Sequence, residues 1–452
     1  MRWLLIVAIC FCTTNVFAIS EPINYEEIEA TNLHEHLASG KATSQSIEDY
    51  IRQGGDVNAL ITMDCIGLGY QSNARWRKRG ENEGYGLVSP LMLAATKYDA
   101  DVVETLIKHG ADLNKKAFRD YNPLLLAAGR NKNPEVVQVL ISHGANIEVK
   151  DQYGDTPLIR ATKWNAEVEV ARTLLDAGAN IHTRDSRGLT PLMRCCYKYD
   201  DFDIVEQLID SGATVNASSD RGYTPLYLAL KNSSFETIEL LVDHGAQTKS
   251  YDEGDHSDLT YALESKRDIE SIQLLLEQGS KSTHLAQGLL SPLHYAARYY
   301  EDVALVELLL KHGAKIDQKN RYGTTPLYYA LSYHASAETL KTYIDNGADV
   351  LAKNNKGNTL LFAAARSDSP ETVQMLIELG VDPLVKNNAE YTPLMFATRY
   401  GKSPEIIGIL LTAGVNPKIK NKYGKTALDY ADKNKRFNGT DEYWRLYYAT
   451  TE

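Results

Sequence analysis

The feature that most constrains this chain is a Thr-Pro-Leu triplet that recurs with a period of 33 or 34 residues. Full and looser copies begin at positions 89, 122, 156, 190, 224, 257, 291, 325, 359, 392 and 426. A single hydrophobic core stops growing at roughly 250–300 residues, and this chain has 452. The period therefore predicts a row of stacked units, each of which buries its apolar face against its neighbours.

Each unit is predicted to contain two short helices followed by a hairpin. Thr156 suits the N-cap of a first helix, and Pro157 suits its first position, where the missing N–H costs no hydrogen bond. In the preceding unit, Asn133 and Pro134 begin the second helix and Gly144 ends it. The core-facing positions recur at helical spacing. They are Leu158 and Ala161 in the first helix, and Val136, Val137, Leu140 and Ile141 in the second.

A second signal, Gly-Ala or a close variant, keeps the same phase about 22 residues after each triplet. Together the two signals resemble the ankyrin repeat. The resemblance implies an all-α repeat solenoid of ankyrin-type helix–turn–helix plus β-hairpin units, about 12 stacked repeats with both ends counted. It also implies a curved stack, with the hairpins and first helices on the concave side. In units of 34 residues, the extra residue precedes the second helix.

The ends and one insertion depart from the repeat. We divide the chain into a signal peptide (1–18), an atypical N-terminal capping repeat (19–58), an insertion loop (59–88), the repeat stack (89–434) and a C-terminal cap (435–452). The insertion carries Cys65 and a basic run with a tryptophan at 75–79. A loop of this length is usually functional or disordered. Contact with an acidic partner and a simple hairpin extension both remain open for it.

The N-terminus has the pattern of a secretory signal. Arg2 supplies the positive charge, residues 4–12 form an apolar run, and Val16 and Ala18 are small residues before a cleavage site. A buried strand is the alternative. The apolar run is too short to span a bilayer, which needs about 20 residues. We expect a periplasmic or secreted protein without a transmembrane segment in the mature chain, whose net charge changes from −11 to −12 when Arg2 is removed.

No catalytic or metal motif with recognisable spacing is present, so we expect neither an enzyme nor a cofactor. His34 and His36 point to different faces of a predicted helix, which argues against a metal pair. The acidic segment 252–258 lacks the spacing of an EF-hand loop and is interpreted as a degenerate hairpin. Cys195 and Cys196 occupy the small-residue pair of their first helix, where we expect buried hydrophobes.

Cations and aromatic residues cluster after that small-residue pair, at the end of each first helix. The predicted partner-binding residues there are Tyr98, Arg130, Lys163, Trp164, Tyr197, Lys198, Tyr199, Arg298, Tyr299, Tyr333, Arg366, Arg399 and Tyr400, with Lys97, Lys231 and Lys266 at matching positions. Predicted hairpin tips add Tyr153 and Tyr322, together with Phe118, Arg187, Arg221 and Tyr423. The helix macrodipole accounts for cations at these positions but not for the rings. Tyr, Trp and Arg dominate binding hot spots.

These observations predict an exported binding protein that engages a partner protein through a basic, aromatic concave face. An inhibitor or immunity-type protein is one concrete form. A glycan- or cell-wall-binding repeat protein is the alternative, and an enzyme is the least favoured class. The partner is expected to have an acidic surface, and the chain to be monomeric. The negative net charge disfavours nucleic acid as a partner. In a eukaryotic host, Asn216, Asn232 and Asn438 would be glycosylation candidates.

Overall fold

The computed structural model describes residues 33, 37, 40–59, 61–64, 85–116, 118–165, 167–198, 201–248, 256–333 and 335–451. The side chains of 61–64, 85–87, 118 and 198 are not among the described ones. Several sequence-based predictions lie outside this range. They are the signal 1–18, the pair His34 and His36, the basic run 75–79 with Cys65, Tyr199, and the acidic residues 252–255.

The described residues form α-helices that alternate as first and second helices of successive units. In the described residues, α1 (Ser44–Arg52) precedes eleven helix pairs, and Leu33 and Leu37 before it are also helical. The first five pairs are α2 (Pro90–Lys97) with α3 (Ala100–Lys108), α4 (Pro123–Arg130) with α5 (Pro134–Ser142), α6 (Pro157–Trp164) with α7 (Val168–Asp176), α8 (Pro191–Lys198) with α9 (Phe202–Asp210), and α10 (Pro225–Asn232) with α11 (Phe235–Asp243).

The remaining six pairs continue the same alternation to the end of the chain. They are α12 (Asp258–Glu264) with α13 (Ile269–Glu277), α14 (Pro292–Tyr299) with α15 (Val303–Lys311), α16 (Pro326–Ser332) with α17 (Ala337–Asp345), α18 (Leu360–Ala364) with α19 (Pro370–Glu378), α20 (Pro393–Tyr400) with α21 (Glu405–Thr412), and α22 (Ala427–Ala431) with α23 (Asp441–Thr451). Two 3₁₀ turns, Phe118–Asp120 and Gln287–Leu289, lie between units. The predicted all-α repeat solenoid is confirmed.

The first helices begin where the triplet places their N-caps. The Thr156 hydroxyl accepts a hydrogen bond from the Ile159 N–H at 3.4 Å, and the Asn122 side chain accepts one from the Leu125 N–H at 2.9 Å. Proline stands in the first turn of both helices. These bonds satisfy N–H groups that have no partner within the helix. The leucine after the proline is buried, as Leu158 shows with 1% exposure.

The second helices end on glycine because the chain there adopts a left-handed conformation. Gly144 has φ +90°. Its N–H donates to the Ile141 carbonyl at 2.9 Å, and the Ala145 N–H donates to the Leu140 carbonyl at 3.0 Å. Residues with a side chain adopt such a φ only at a cost, whereas glycine does not. The Gly-Ala signal is therefore a helix terminator, as predicted.

The segments between units are turns in the described residues, whereas the sequence predicts hairpins. Asp151 illustrates the turn: its Oδ1 accepts from the N–H groups of Tyr153 at 2.8 Å and Asp155 at 2.9 Å. Asx side chains favour such turns over strand pairing. The paired strands of the described residues are β1 (Ile61–Asp64) and β2 (Tyr85–Val88), antiparallel with Ile61 opposite Val88. A hairpin therefore closes the base of the insertion.

Neighbouring units pack first helix against first helix and second helix against second helix. Side-chain amides reinforce this contact: the Asn165 Nδ2 donates to the carbonyls of Ala128 at 3.1 Å and Asn131 at 2.7 Å, both in the preceding unit. Each unit thus meets only its neighbours, which is how a long chain avoids one large core. Within the described residues, none of the helices combines the length and apolar character needed to cross a bilayer.

Candidate functional site

Cations at the ends of the first helices lie against tyrosine rings of adjoining units. The Arg298 Cζ is 5.0 Å from the Tyr299 ring centroid and 5.2 Å from that of Tyr333. The Lys266 Nζ is 5.9 Å from the Tyr299 ring centroid. Lys266, Arg298 and Tyr333 belong to three successive units, so the fold joins them into a row. These distances allow cation–π attraction, which is about 0.5–1 kcal/mol at exposed sites.

The same arrangement recurs further along the stack. The Arg399 Cζ is 4.9 Å from the Tyr400 ring and 5.0 Å from the Tyr430 ring, and the Arg366 Cζ is 5.6 Å from the Tyr400 ring. The Arg399 Nη1 also donates to the Tyr391 hydroxyl at 2.6 Å. That hydroxyl lies 2.8 Å from the Tyr430 hydroxyl. Arg399 is therefore held in place by its neighbours rather than free to rotate.

A third contact extends the row towards the N-terminus, where the Lys231 Nζ lies 6.0 Å from the Tyr197 ring. We name the whole row the cation–tyrosine strip. It consists of Tyr197, Lys231, Lys266, Arg298, Tyr299, Tyr333, Arg366, Arg399 and Tyr400. Seven of these nine residues, Tyr197 among them, are on the predicted list of partner-binding residues. The other two, Lys231 and Lys266, were predicted at matching positions of their units.

The five cations of the strip are exposed. None of them has a carboxylate partner in the part of the chain that the structure describes. Tyr333 and Tyr400 are 45% and 44% exposed, and Tyr197 is 37% exposed. Tyr299 is half-buried, and burial raises the pKa of its hydroxyl. The strip therefore offers positive charge, ring faces and hydrogen-bond donors to a ligand.

Tyr98 does not belong to this surface, and its prediction as an exposed contact is wrong. Its ring is 8% exposed. The hydroxyl donates to the Leu37 carbonyl at 2.9 Å and accepts from the Ala42 N–H at 3.1 Å. The residue caps α2 in an extended conformation, with its side chain packed against the N-terminal unit. Tyr98 thus ties the first units together.

Lys163 was predicted as a partner-binding cation, and in the structure its charge is paired within its own unit. The Nζ lies 2.6 Å from the Asp155 Oδ2, and the lysine side chain is 16% exposed. The aspartate is buried, so the pair is shielded from solvent. Trp164, beside it, is 45% exposed, with the Lys163 Nζ 5.6 Å from its ring. Arg130, in the preceding unit, is half-buried.

The same unit holds a buried ion pair that sequence reasoning missed. Arg160 donates to the Asp151 carboxylate at 3.2 Å, and both side chains are almost fully buried. Arg194 and Asp185 form the equivalent pair one unit later. Burial raises the pKa of Asp151, and the neighbouring Asp155 raises it further, whereas Arg160 opposes the shift. The sequence contains a pattern that could have predicted these pairs, because an aspartate precedes an arginine by nine residues in two successive units.

The turn tips carry the remaining predicted aromatic contacts. Tyr153 is 38% exposed and Tyr322 is 54% exposed. The Arg321 Nη2 donates to the Tyr322 hydroxyl at 2.5 Å. The Arg119 Cζ lies 5.6 Å from the Tyr153 ring. The side chain of Lys198 and the whole of Tyr199 fall outside the described residues.

A second aromatic row, also missed from the sequence, lies at the fourth residue after the N-cap. Tyr261, Tyr295, Tyr329 and Phe396 occupy this position in their units. Tyr329 contacts Tyr333 of the strip, with 5.4 Å between ring centroids, and Phe396 contacts Tyr400 at 5.4 Å. Burial raises the pKa of Tyr295. This row supports the strip from beneath and restricts the orientations of its rings.

Other parts of the described chain offer fewer candidate binding residues. Cys195 and Cys196 are each 1% exposed, as predicted, and burial raises the pKa of the Cys195 thiol. Within the described residues, no group of three or more His, Cys, Asp or Glu could hold a metal ion. A cavity of about 400 Å³ near α17 and α19 is lined in part by Lys402 and Asp368, which form an ion pair at 3.2 Å. The last helix, α23, exposes a tryptophan, Trp444.

The chain shares its repeat pattern with known proteins. A family model described as ankyrin repeats (three copies) matches residues 91–185, 169–252, 192–286, 259–354, 293–387, 331–421 and 360–440. No curated protein matches the chain. Among solved structures, the chain is similar to the ankyrin repeat domain of human ASB11, with 24% identity over 51% of this chain and 99% of that chain and a TM-score of 0.43. Because the family model matches well over half of the sequence, the chain belongs to the ankyrin-repeat family.

Proposed function

We propose that this protein is an exported scaffold that grips an acidic surface of a partner protein through the cation–tyrosine strip. Ankyrin repeats are protein–protein interaction modules, which gives the class of function. One observation supports the site: five exposed cations lie against tyrosine rings without a carboxylate partner among the described residues, in a chain of net charge −11. Complementary charge steers association and suppresses wrong partners.

The helix macrodipole alone does not account for the strip. It stabilises a cation in the last turn by about 0.3–1 kcal/mol. That effect is local to one helix, whereas Arg298 and Arg366 each contact a tyrosine of the next unit. Arginine and tyrosine are enriched among residues that dominate binding energy. A guanidinium that is already held in place, like that of Arg399, loses less conformational freedom when a partner binds.

Export is the second half of the proposal, and it is supported by residues 1–18. The function that we favour is that of an inhibitor or immunity-type protein, which occludes an acidic site on an enzyme or toxin. The intact mass of the protein recovered from its native compartment tests export. We expect a chain that starts at Ile19, and a full-length mass would contradict export.

Charge reversal tests the strip. We expect the double variant Arg298→Glu, Arg366→Glu to lose at least about 10-fold in affinity for partners captured from the native extract, because each change replaces attraction to an acidic surface with repulsion. The matched control is Lys311→Glu, Lys341→Glu. These lysines are exposed on the second helices α15 and α17 of the same region, so the net charge changes equally. Equal losses in both double variants would contradict a role specific to the strip.

A further inference from the structure

Four of the five cations of the strip recur with the spacing of the repeat itself, and the fifth, Lys266, stands nine residues after its N-cap. Lys231, Arg298, Arg366 and Arg399 each stand seven residues after the N-cap of their own unit. Packed helices of neighbouring units lie about 8–10 Å apart. A ligand that follows the strip therefore meets a positive charge or a tyrosine at each step of this length, over the six units that begin at 224, 257, 291, 325, 359 and 392.

A polyproline II chain has the matching period. It makes one turn in three residues with a rise of 3.1 Å per residue, so every third side chain faces the same way at intervals of about 9 Å. An acidic residue at every third position would present its carboxylates at the spacing of the cations. A β-strand alternates faces every two residues, so every third side chain of a strand faces the opposite side.

The hydrogen-bonding character of the strip also favours an extended ligand over a helical one. Arginine and lysine only donate, and a tyrosine hydroxyl can donate. The carbonyls of a polyproline II chain have no internal partners and need donors. The carbonyls of an α-helix are already satisfied within the helix. Exposed tyrosine faces such as Tyr333 and Tyr400 suit the proline rings, as aromatic-lined grooves do in recognition of proline-rich segments.

We infer that the partner engages the strip with a proline-rich segment in the polyproline II conformation, carrying an acidic residue at every third position. The inference rests on the proposed function and specifies its ligand. Five steps of three residues separate Lys231 from Arg399, so a segment of roughly 16 residues covers the cations of the strip. Shorter segments leave cations unoccupied, and longer ones add no contact.

Labelled peptides titrated against the full chain test this period. The first peptide repeats glutamate-proline-alanine six times. The second has the same composition with its glutamates in one block, and the third is a helical peptide of equal charge with glutamate at every seventh position. We expect the first to bind at least about 10-fold tighter than either of the others. Its affinity should rise with length to about 16 residues, where a sixth glutamate reaches the sixth unit, and then level off.

The charge-reversal variants separate the outcomes. Arg298→Glu, Arg366→Glu should abolish the preference for the triplet peptide, whereas Lys311→Glu, Lys341→Glu should keep it. If the block or helical peptide binds as well as the triplet peptide, or if no peptide binds, the inference is overturned. The proposed function then still stands, provided that the strip variant loses its extract partner. If the strip variant affects neither partner nor peptide, both fail. Tighter binding of an anionic polysaccharide such as polygalacturonate would contradict a protein ligand altogether.

Discussion

The turn residue of each unit determines which side chain can lie beneath it. Asp151 and Asp185 form Asx turns with Oδ1 and present Oδ2 to a buried arginine. In later units asparagine forms the same turn. Asn320 and Asn387 accept from the N–H groups two and four residues ahead. Nine residues after these asparagines stand Tyr329 and Phe396 rather than arginine. In these two units an uncharged turn residue accompanies an aromatic one, whereas Asn354 forms the same turn nine residues before Ala363.

This relation gives a prediction for the first buried pair. Arg160→Met alone should destabilise the fold by about 3–5 kcal/mol, because it leaves the Asp151 carboxylate buried without its cation. Adding Asp151→Asn should recover much of that loss, since asparagine keeps the turn in other units and carries no charge. Urea unfolding of the wild type, the single variant and the double variant measures this. No recovery in the double variant would show that the ion pair itself, rather than the uncompensated charge, determines stability.

A single buried histidine makes the stability of the fold depend on pH. His294 is fully buried, with Nδ1 2.8 Å from the Ser291 hydroxyl and Nε2 2.9 Å from the Thr324 carbonyl. Burial lowers its pKa from 6.5 to about 4, against the opposing effect of the Thr324 carbonyl. The unfolded chain therefore binds the proton first. Stability is intact above pH 6.5 and falls as the pH drops towards 4, by about 3 kcal/mol.

Nuclear magnetic resonance of the imidazole tests this directly, with His294→Gln to assign the signal. We expect the His294 resonance to keep its neutral position at pH 5.5. The variant should also lose part of the decline in stability between pH 6.5 and 4. A titration midpoint near 6.5 in the folded protein would contradict the account.

At the scale of helices and turns, local chemistry made most of the structure predictable. The N-caps, the prolines in the first turn and the terminating glycines each act within a few residues, so the sequence displays them directly. The turns between units were predicted as hairpins, because the sequence pattern does not distinguish strand pairing from Asx turns. The partners of two predicted contact residues were not visible in the sequence. The Tyr98 hydroxyl bonds to the Leu37 carbonyl, which is 61 residues away in the chain. Lys163 pairs with Asp155, which lies in the turn before its helix.

The helix terminators can be tested by substitution at one of them. A Cβ at Gly144 would meet no atom within 4 Å, so the only cost of Gly144→Ala is its left-handed backbone. We expect a loss of stability of about 1–2 kcal/mol, and a smaller loss for Gly144→Asn, since asparagine tolerates this conformation better. The urea midpoint measures both. If alanine were no worse than asparagine, the backbone explanation would be incorrect.

At the scale of the whole molecule, the repeat turns a local motif into a long surface. Equivalent positions in successive units place Arg298, Arg366 and Arg399 in one row, although up to 101 residues separate them in sequence. Sequence reasoning found most of the strip because the period shows which positions are equivalent. It could not show which cations were paired, since Asp155 and Lys163 meet only once the unit has folded.

The central claim is that the partner lies on the cation–tyrosine strip, and site-specific photocrosslinking tests it most directly. A photoreactive phenylalanine replaces Tyr333 in one sample and Leu379, at the end of the second helix α19, in the other. Both positions are exposed, at 45% and 42%. The account predicts a covalent adduct with the partner from position 333 and none from position 379. An adduct from position 379 with none from position 333 would contradict it.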